Sequence, residues 1–358
     1  VGTGGLVDVR VHALAEVLLG QSDAQAGEGL AQIARVILAR TVERRRVARV
    51  VSRHGVEDEA AIERDAGLRQ RHLPGGTVDL DVDHHRQRRD ALDHFYALLR
   101  SKVGILLDEK KDYLIQSRLQ PLARNYQFDS VEAFIEDLLA QPVGERHWES
   151  FVALTTNETS FFRDRHFFEG IRDHVLPKLI AERAATKTLN IWSAAASTGQ
   201  EAYSISLLIR ESFPELARWK INIVATDISP LNISRAEAGV YSHAETERGL
   251  DAHYRNRHFT KHGDGRYEVS KAIRDMVSFS TMNLIETWPR LPKFDLILLR
   301  NVMIYFGQDT KDRLLEQMHA SLAPGGYLVL GATETIYANP RFGIERYEKF
   351  SCYSPRSA

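Results

Sequence analysis

Residues 188–209, with the sequence TLNIWSAAASTGQEAYSISLLI, decide the fold that we expect for most of this chain. The stretch opens with a short apolar run typical of a buried strand, and Ile205, Leu208 and Ile209 then recur at helical spacing. Between the two lie small residues and one glycine, Gly199. Small side chains let the backbone approach a ligand, and a helix N-terminus offers unpaired N–H groups. The stretch therefore predicts a strand, a turn and a helix that bind a nucleotide-type ligand.

Apolar runs that alternate with helical segments continue this pattern towards the C-terminus. We predict further strands at 221–227, 294–302, 327–331 and 347–353, and helices at 232–238 and 310–322. Such alternation predicts an α/β fold with a doubly wound, mostly parallel sheet. In these sheets ligands bind at the C-terminal ends of the strands. The residues that fall at or near those ends are Gly199, Asp227, Asn283, Asn301 and Glu334.

Residues 251–279 interrupt this alternation of strands and helices. Short strands are predicted at 254–259, 266–269 and 276–279, around the sequence Gly263-Asp264-Gly265, which is typical of a hairpin turn. We therefore expect a small antiparallel β insertion within the α/β domain.

Four short helices are predicted between residues 91 and 165. The first ends near Gly104, and the second covers 109–125 with Asp108 as its N-cap. The third follows Ser130 as its N-cap, and the fourth covers 145–154. Short loops between helices indicate a small helical domain.

The second of these helices is basic. It carries Lys110, Lys111, Arg118 and Arg124, which do not fall on one clean stripe of the helix. Two interpretations are open: a solvated face, or a docking face for an acidic partner helix.

The first 90 residues differ in composition from the rest. They contain no Lys, Phe, Tyr or Trp, although Arg is plentiful. Aromatic side chains dominate core burial, so a folded domain of this size without one is unusual. Three interpretations are open: a disordered extension, a spurious extension read upstream of the real start, which the initial Val suits, and a true functional domain. The pair His84-His85 lacks a second ligand cluster, so we expect no metal.

These patterns divide the chain into three parts. We expect an extension over 1–90, a helical domain with its linker over 91–165, and the α/β domain over 166–358.

The formal net charge of -1 gives no global case for binding nucleic acid or an anionic membrane. The single cysteine, Cys352, excludes an intrachain disulfide and a Cys-based zinc site. Neither a membrane-spanning run nor a signal-peptide pattern is found, so we expect a cytoplasmic protein.

The polar segment 155–164, Thr-Thr-Asn-Glu-Thr-Ser-Phe-Phe-Arg-Asp, joins the two domains. It is either a capped loop with a hydrophobic staple or a segment that clamps a ligand at the domain junction. The acid Asp227 has a similar ambiguity. It can bind both ribose hydroxyls of an adenosine-containing ligand, or it can cap the following helix together with Ser229-Pro230, and both functions can occur in one protein at different residues of the loop.

The class of ligand is narrowed by what the turn lacks. A lone Gly199 does not make the Gly-x-Gly-x-x-Gly fingerprint of dinucleotide binding, and no phosphate-binding Gly-x-x-x-x-Gly-Lys-Ser/Thr loop occurs. S-adenosylmethionine carries no phosphate, so it needs a turn and an adenosine-binding acid but no phosphate cradle. These residues therefore favour a methyltransferase over other nucleotide-binding proteins.

Longer motifs carry a more specific resemblance. They are Thr-Asn-Glu-Thr-Ser-Phe-Phe-Arg (156–163), Trp-Ser-Ala-Ala-Ala-Ser-Thr-Gly-Gln-Glu (192–201), Ala-Thr-Asp-Ile (225–228) and Arg-Asn-Val-Met-Ile-Tyr-Phe (300–306). With these motifs, and with Ser117-Arg118-Leu119 in the second helix, the chain from about Ala91 onwards resembles the bacterial chemotaxis receptor methyltransferases, the CheR family. The resemblance implies a Rossmann-like class I fold. It also implies methyl transfer from S-adenosylmethionine to glutamate side chains on the cytoplasmic helices of chemoreceptors, a step of sensory adaptation.

The resemblance also implies which residues form the site. The expected cofactor-binding residues are Asn157, Thr159, Arg163, Glu201, Asp227, Asn283, Leu284, Asn301 and Val302. Arg163 and Tyr305 are the residues expected nearest the reacting groups.

Two departures from the family pattern bear on this expectation. Gln200-Glu201 replaces a frequent Glu-Glu, and Gly331-Ala332-Thr333-Glu334 replaces a Gly-His-Ser-Glu-like segment, which leaves the role of that segment open. The compact insertion is more like members that do not need a receptor tail peptide.

Two other functions remain alternatives. One is a cofactor-binding regulatory module without catalysis. The other is an amino-group methyltransferase acting on nucleic acid, which commonly has Asn-Pro-Pro-Tyr-like residues where this chain has Arg300-Asn301-Val302-Met303. We expect protein rather than nucleic acid as the partner, and a monomer, although the sequence does not decide the oligomeric state.

Overall fold

The fold is seen in a computed structural model that describes residues 80–107, 111–336 and 339–356. These residues belong to one compact unit. The predicted cap Asp108, the basic residue Lys110 and the extension up to residue 79 lie outside the described residues, as do the side chains of His84 and His85.

Four N-terminal helices surround one apolar cluster. They are α1 (Leu80–Val103), α2 (Asp112–Asn125), α3 (Val131–Ala140) and α4 (Glu145–Leu154). Phe95, Leu119, Phe134 and Phe151, one from each helix, are fully buried in the cluster. The predicted cap Ser130 is confirmed, because its side chain accepts a hydrogen bond from the N–H of Ala133. Helix α1 begins at Leu80, so the end of the predicted extension is helical.

The α/β part alternates helices and strands. Its helices are α5 (Arg165–Gly170), α6 (Leu176–Glu182), α7 (Gln200–Ser212), α8 (Pro230–Ala238), α9 (His243–Glu247), α10 (Ala252–His258), α11 (Lys271–Arg274) and α12 (Gln308–Ser321). Its strands are β1 (Thr188–Ala194), β2 (Lys220–Asp227), β3 (Val240–Tyr241), β4 (Phe259–Lys261), β5 (Tyr267–Val269), β6 (Val277–Thr281), β7 (Phe294–Leu299), β8 (Leu322–Leu330), β9 (Phe342–Tyr347) and β10 (Phe350–Pro355). A π-helical turn, Ile171–Val175, joins α5 to α6, and short 3-10 turns occur at Pro214–Arg218 and Met303–Tyr305.

The main sheet has the order β6-β2-β1-β7-β8-β10-β9. Strands β6, β2, β1, β7 and β8 are parallel, whereas β10 and β9 are antiparallel to their neighbours. The chain moves from β1 to β2 and β6 on one side, and then returns to place β7 on the other side of β1. The direction of winding therefore changes between β1 and β7, which is where such sheets bind ligands. The predicted doubly wound α/β fold is confirmed.

Both faces of the sheet are covered. Successive side chains of β7 alternate between two apolar clusters, as the pleat of a strand requires. Leu296 and Leu298 join the cluster that contains α7, and Ile297 and Leu299 join the cluster that contains α12. Burial on both faces explains why this strand is predominantly apolar instead of alternating.

The predicted insertion is partly wrong. Residues 254–258 are not a strand but belong to helix α10, in which the buried Tyr254 stacks on Phe162 at 4.9 Å. The segment predicted as a strand at 276–279 lies in β6 of the main sheet, parallel to β2. The small antiparallel sheet contains β3, β5 and β4, and β3 lies outside the predicted range. Long-range packing here overrides the local strand pattern.

The C-terminal segment also differs from its prediction. A single strand was expected at 347–353, but the structure has two strands, β9 and β10, which pair antiparallel with Phe350 opposite Tyr347. A tight connection at 348–349 separates them.

Candidate functional site

One pocket lies at the C-terminal ends of β1, β2 and β7 and is closed by the segment that follows α4. The predicted site residues that line it are Asn157, Thr159, Arg163, Glu201, Asp227, Asn283, Leu284, Asn301, Val302 and Tyr305. All residues of the predicted site therefore meet in one place, although they come from five separate parts of the sequence. Their individual roles stay predictions.

The turn after β1 has an unusual backbone. Ala195 and Ser197 have positive φ angles of 63° and 51°, and Gly199 at the start of α7 has 94°. A Cβ atom on Gly199 would lie 2.8 Å from the Cβ of Ala236, so only glycine fits without displacement. Left-handed backbone is costly for residues other than glycine and is concentrated at functional sites. The turn is thus held in a specific, strained shape at the wall of the pocket.

Asp227, at the end of β2, connects the turns on both sides of it. Its Oδ2 accepts a hydrogen bond from the N–H of Ser197 at 2.8 Å, and its Oδ1 accepts one from the N–H of Ser229 at 2.9 Å. The cap of helix α8 is Ser229, whose side chain accepts from the N–H of Asn232. Burial raises the pKa of Asp227, and the hydrogen bonds to its carboxylate oppose that rise. Its Oδ1 also accepts from the side-chain amide of Asn232 at 3.1 Å, so three of the about four acceptor sites of the carboxylate are used and one remains for a ligand.

Glu201, in the first turn of α7, is held by two partners. Its Oε1 accepts from the Ser193 hydroxyl at 2.8 Å, and its Oε2 from the Nη1 of Arg300 at 3.0 Å. The Nη2 of Arg300 also donates to the carbonyl of Arg163 at 2.8 Å and to the carboxylate of Asp164 at 2.9 Å. Arg300 therefore joins the cofactor-side acid Glu201 to the interdomain segment.

The sequence pattern did not predict that Arg300 joins Glu201 to the interdomain segment. Its side chain is 2% exposed, and its guanidinium lies 4.8 Å from the ring centre of Phe167 and 5.5 Å from that of Phe168. Its Nε is the one buried side-chain polar atom without a hydrogen-bond partner within the described ranges. The sequence feature that could have indicated this buried pairing is a charged residue placed directly after a buried strand.

The interdomain segment is fixed to the α/β domain. The carbonyl of Asn157 accepts from the Ser197 hydroxyl at 3.0 Å, and its side-chain oxygen accepts from the amide of Asn232 at 3.0 Å. Phe161 and Phe162 are buried in the core below. The aromatic residues therefore anchor the segment, and its polar residues line the pocket.

Arg163 and Tyr305 are placed differently. The guanidinium of Arg163 donates to the carbonyl of Glu158 at 2.7 Å, and the carboxylate of Glu158 pairs with Arg248. Tyr305 ends the 3-10 turn after β7, and its carbonyl accepts from the N–H of Leu106 at 2.8 Å. The chain after α1 therefore holds one wall of the pocket.

Asn283 is also tied to this part of the helical domain. Its side-chain amide donates to the carbonyl of Lys102 at 2.8 Å, and its side-chain oxygen accepts from the N–H of Ile285. The Asn283 side chain thus supports the domain junction in addition to lining the pocket.

Comparisons with known proteins agree with this geometry. The family model described as "CheR methyltransferase, SAM binding domain" matches residues 157–349, and "CheR methyltransferase, all-alpha domain" matches residues 90–156. Chemotaxis protein methyltransferase 1 of Vibrio cholerae is 40% identical over 245 residues, which are 68% of this chain and 88% of that protein. Chemotaxis protein methyltransferase 1 of Pseudomonas aeruginosa is 39% identical over 72% of this chain and 93% of its own. Chemotaxis protein methyltransferase Cher2 of Pseudomonas putida is 38% identical, over 73% and 94%.

Proposed function

The chain belongs to the CheR methyltransferase family and is an S-adenosylmethionine-dependent methyltransferase, and we propose that it methylates glutamate side chains of chemoreceptors. The products are glutamyl γ-methyl esters on the receptors' cytoplasmic helices, so we place the reaction in the cytoplasm. We regard the enzyme as a monomer. No helix among the described residues is long and apolar enough to cross a membrane.

The residues of the pocket suit this cofactor. Asp227 offers a carboxylate to ribose hydroxyls, and the apolar side chains of Ile228, Leu284 and Val302 can cover a flat purine ring. No phosphate-binding loop is needed. We assign the cofactor-binding roles to the nine residues named from the family motifs.

The charge balance of the pocket supports a carboxylate acceptor. Arg300 is paired with Glu201 and Asp164, and the carboxylate of Glu158 is paired with Arg248. Arg163 donates to the carbonyl of Glu158, and it also interacts electrostatically with the Glu158 carboxylate, which is hydrogen-bonded to Arg248. The guanidinium of Arg163 at the pocket wall is the single observation that most favours a negatively charged acceptor, because a guanidinium can bind the carboxylate of an incoming glutamate through two parallel hydrogen bonds.

Little further chemistry is required of the protein. A glutamate carboxylate has a pKa of about 4.3, so it is already a nucleophile at neutral pH and needs no general base. Bound S-adenosylmethionine supplies a methyl group made electrophilic by its sulfonium. Arg163 orients the acceptor carboxylate, and Tyr305 shapes the site or donates a hydrogen bond. The methyl group passes from sulfur to oxygen, which leaves a neutral thioether, and no proton moves.

The test is incubation of the protein with tritiated cofactor and receptor cytoplasmic fragments. We expect label that base releases as volatile methanol, the sign of a carboxyl methyl ester. Arg163→Ala should abolish most turnover even at saturating cofactor, beyond any loss of cofactor affinity, and a receptor fragment with Gln at the acceptor positions is the matched control. Stable label on nucleic acid, or cofactor binding without any transfer, would reject the proposal in favour of the two alternatives.

A further inference from the structure

The carboxylate of Glu334 lies behind the turn that carries three residues of the proposed site. Its Oε1 accepts hydrogen bonds from the N–H groups of Val302 at 3.0 Å and Met303 at 2.7 Å, with a longer contact of 3.3 Å to the next N–H. Its Oε2 accepts from the N–H of Asn301 at 2.7 Å. Four consecutive backbone donors of the turn therefore point at one side chain.

A fifth donor comes from the end of the neighbouring strand. The N–H of Gly331, directly after β8, donates to Oε2 at 2.8 Å. A Cβ atom at position 331 would lie 2.7 Å from that oxygen, 2.8 Å from the side-chain Nδ2 of Asn301 and 2.9 Å from its backbone nitrogen. The absence of a side chain at this position is thus what lets the carboxylate reach the turn.

The turn needs such a partner because of its shape. Asn301 has a positive φ of 58°, so the chain leaves β7 in a left-handed conformation and its N–H groups no longer face the sheet. Successive backbone N–H groups in this arrangement form a concave anion site. Here the protein fills that site with its own carboxylate, through hydrogen bonds strengthened by charge.

Glu334 does not touch the cofactor pocket. It lines a different cavity, on the far side of the turn, together with Met303, Ile304 and Thr335. The residues that line the cofactor pocket from the same turn are Asn301, Val302 and Tyr305. Any influence of Glu334 on the reaction must therefore pass through the position of the turn.

We propose that Glu334 is a positioning residue that holds Asn301 and Val302 against the cofactor and Tyr305 beside the acceptor. This inference rests on the roles given to those three residues in the proposed function. It assigns a role to the segment 331–334, which the sequence pattern left open. Affinity for the cofactor and turnover should both depend on the carboxylate.

The experiment compares Glu334→Gln with the wild-type full chain by isothermal titration with S-adenosylhomocysteine. Glutamine keeps the size of the side chain, but its NH2 group faces backbone donors and it carries no charge. We expect a raised dissociation constant and a kcat lowered by up to about a hundredfold, the effect of displacing site residues by about 1 Å. Thr335→Ala, at an exposed neighbour in the same cavity, is the matched control and should bind as the wild type does.

The binding stoichiometry separates positioning from loss of fold. A merely structural role would lower the fraction of binding-competent protein and leave the dissociation constant of that fraction unchanged. If Glu334→Gln does not fold, Glu334→Asp keeps the charge on a shorter side chain and should also weaken binding. Wild-type affinity and kcat in the folded variants would overturn the proposal. Because the titration needs no acceptor, it decides this proposal even if receptor methylation is not found.

Discussion

Replacing Arg300 by Met removes the central cation of a buried charge network. The Nη1 of Arg300 lies 3.0 Å from Glu201 and its Nη2 lies 2.9 Å from Asp164. The side chain of Glu201 is 13% exposed, whereas that of Asp164 is 32% exposed. The variant therefore leaves one carboxylate, that of Glu201, buried without a counter-charge, while water can solvate the other.

The expected loss in free energy of unfolding follows from the difference in exposure between Glu201 and Asp164. Breaking a buried ion pair by removing one partner costs about 3–5 kcal/mol. Asp164 contributes little, and Glu201 keeps its hydrogen bond from Ser193, so we expect a loss of about 3 kcal/mol. A domain of ordinary stability has about 5–15 kcal/mol, so the loss is a large part of the total. With a urea m-value of about 2–3 kcal/mol/M, the midpoint falls by about 1–1.5 M.

Urea unfolding followed by circular dichroism measures this loss. The double variant Arg300→Met with Glu201→Gln should regain about 2 kcal/mol, because a neutral amide costs less to bury than an unpaired carboxylate. It should not regain cofactor affinity, since the carboxylate is gone. Arg341→Met is the matched control, because its ion pair with Glu316 is largely exposed and is worth less than about 1 kcal/mol.

Two results would refute this reasoning. One is an Arg300→Met variant whose free energy of unfolding lies within about 1 kcal/mol of the wild type, the value expected of a surface pair. The other is a double variant no more stable than Arg300→Met alone, which would mean that packing against the aromatic rings, and not charge pairing, is the main contribution of Arg300.

Three further predictions concern single side chains. Ser130→Ala removes the acceptor for the N–H of Ala133 and should cost about 1 kcal/mol in a thermal unfolding experiment. Burial raises the pKa of Cys352 to about 12, so a thiol reagent should leave the native protein unmodified at neutral pH and should label one thiol per chain after unfolding in urea. Burial also raises the pKa of Asp227, so this group's stabilising contribution is fully present below about pH 3.9 and is lost as pH rises through the raised folded-state value. The wild type should therefore lose stability relative to Asp227→Asn over that rise, and parallel pH profiles of the two proteins would contradict the prediction.

The elements that the sequence predicted well are those with local causes. Helix α4 covers the predicted 145–154, and α3 begins directly after its predicted cap Ser130. The buried strands β1 and β2 likewise match apolar runs bounded by polar residues. Caps and hydrophobic periodicity act within one or two turns of chain, so they are readable without knowledge of the fold.

The wrong predictions concern segments whose structure depends on contacts with residues distant in the sequence. The segment 254–258 is helical because Tyr254 packs on Phe162, which lies far earlier in the sequence. Strand β6 joins the main sheet because β2 offers it an edge, with Val277 opposite Ile223. Neither partner is visible in a local pattern, and a short apolar run fits an insertion or a main sheet equally well.

The same distinction applies within the site. Motif residues that line the pocket were identified because the family pattern points to them, but the pattern does not show the hydrogen bonds of Arg300, which also lines the pocket, or those of Glu334. The partners of Arg300 are Glu201 and Arg163, which lie 99 and 137 positions away in the sequence. A motif gives the order of residues but not their contacts, so position in a motif cannot separate a residue that lines the pocket from one that supports the turn. The separation depends on where each polar atom finds its hydrogen-bond partner, and for both Arg300 and Glu334 those partners belong to the protein.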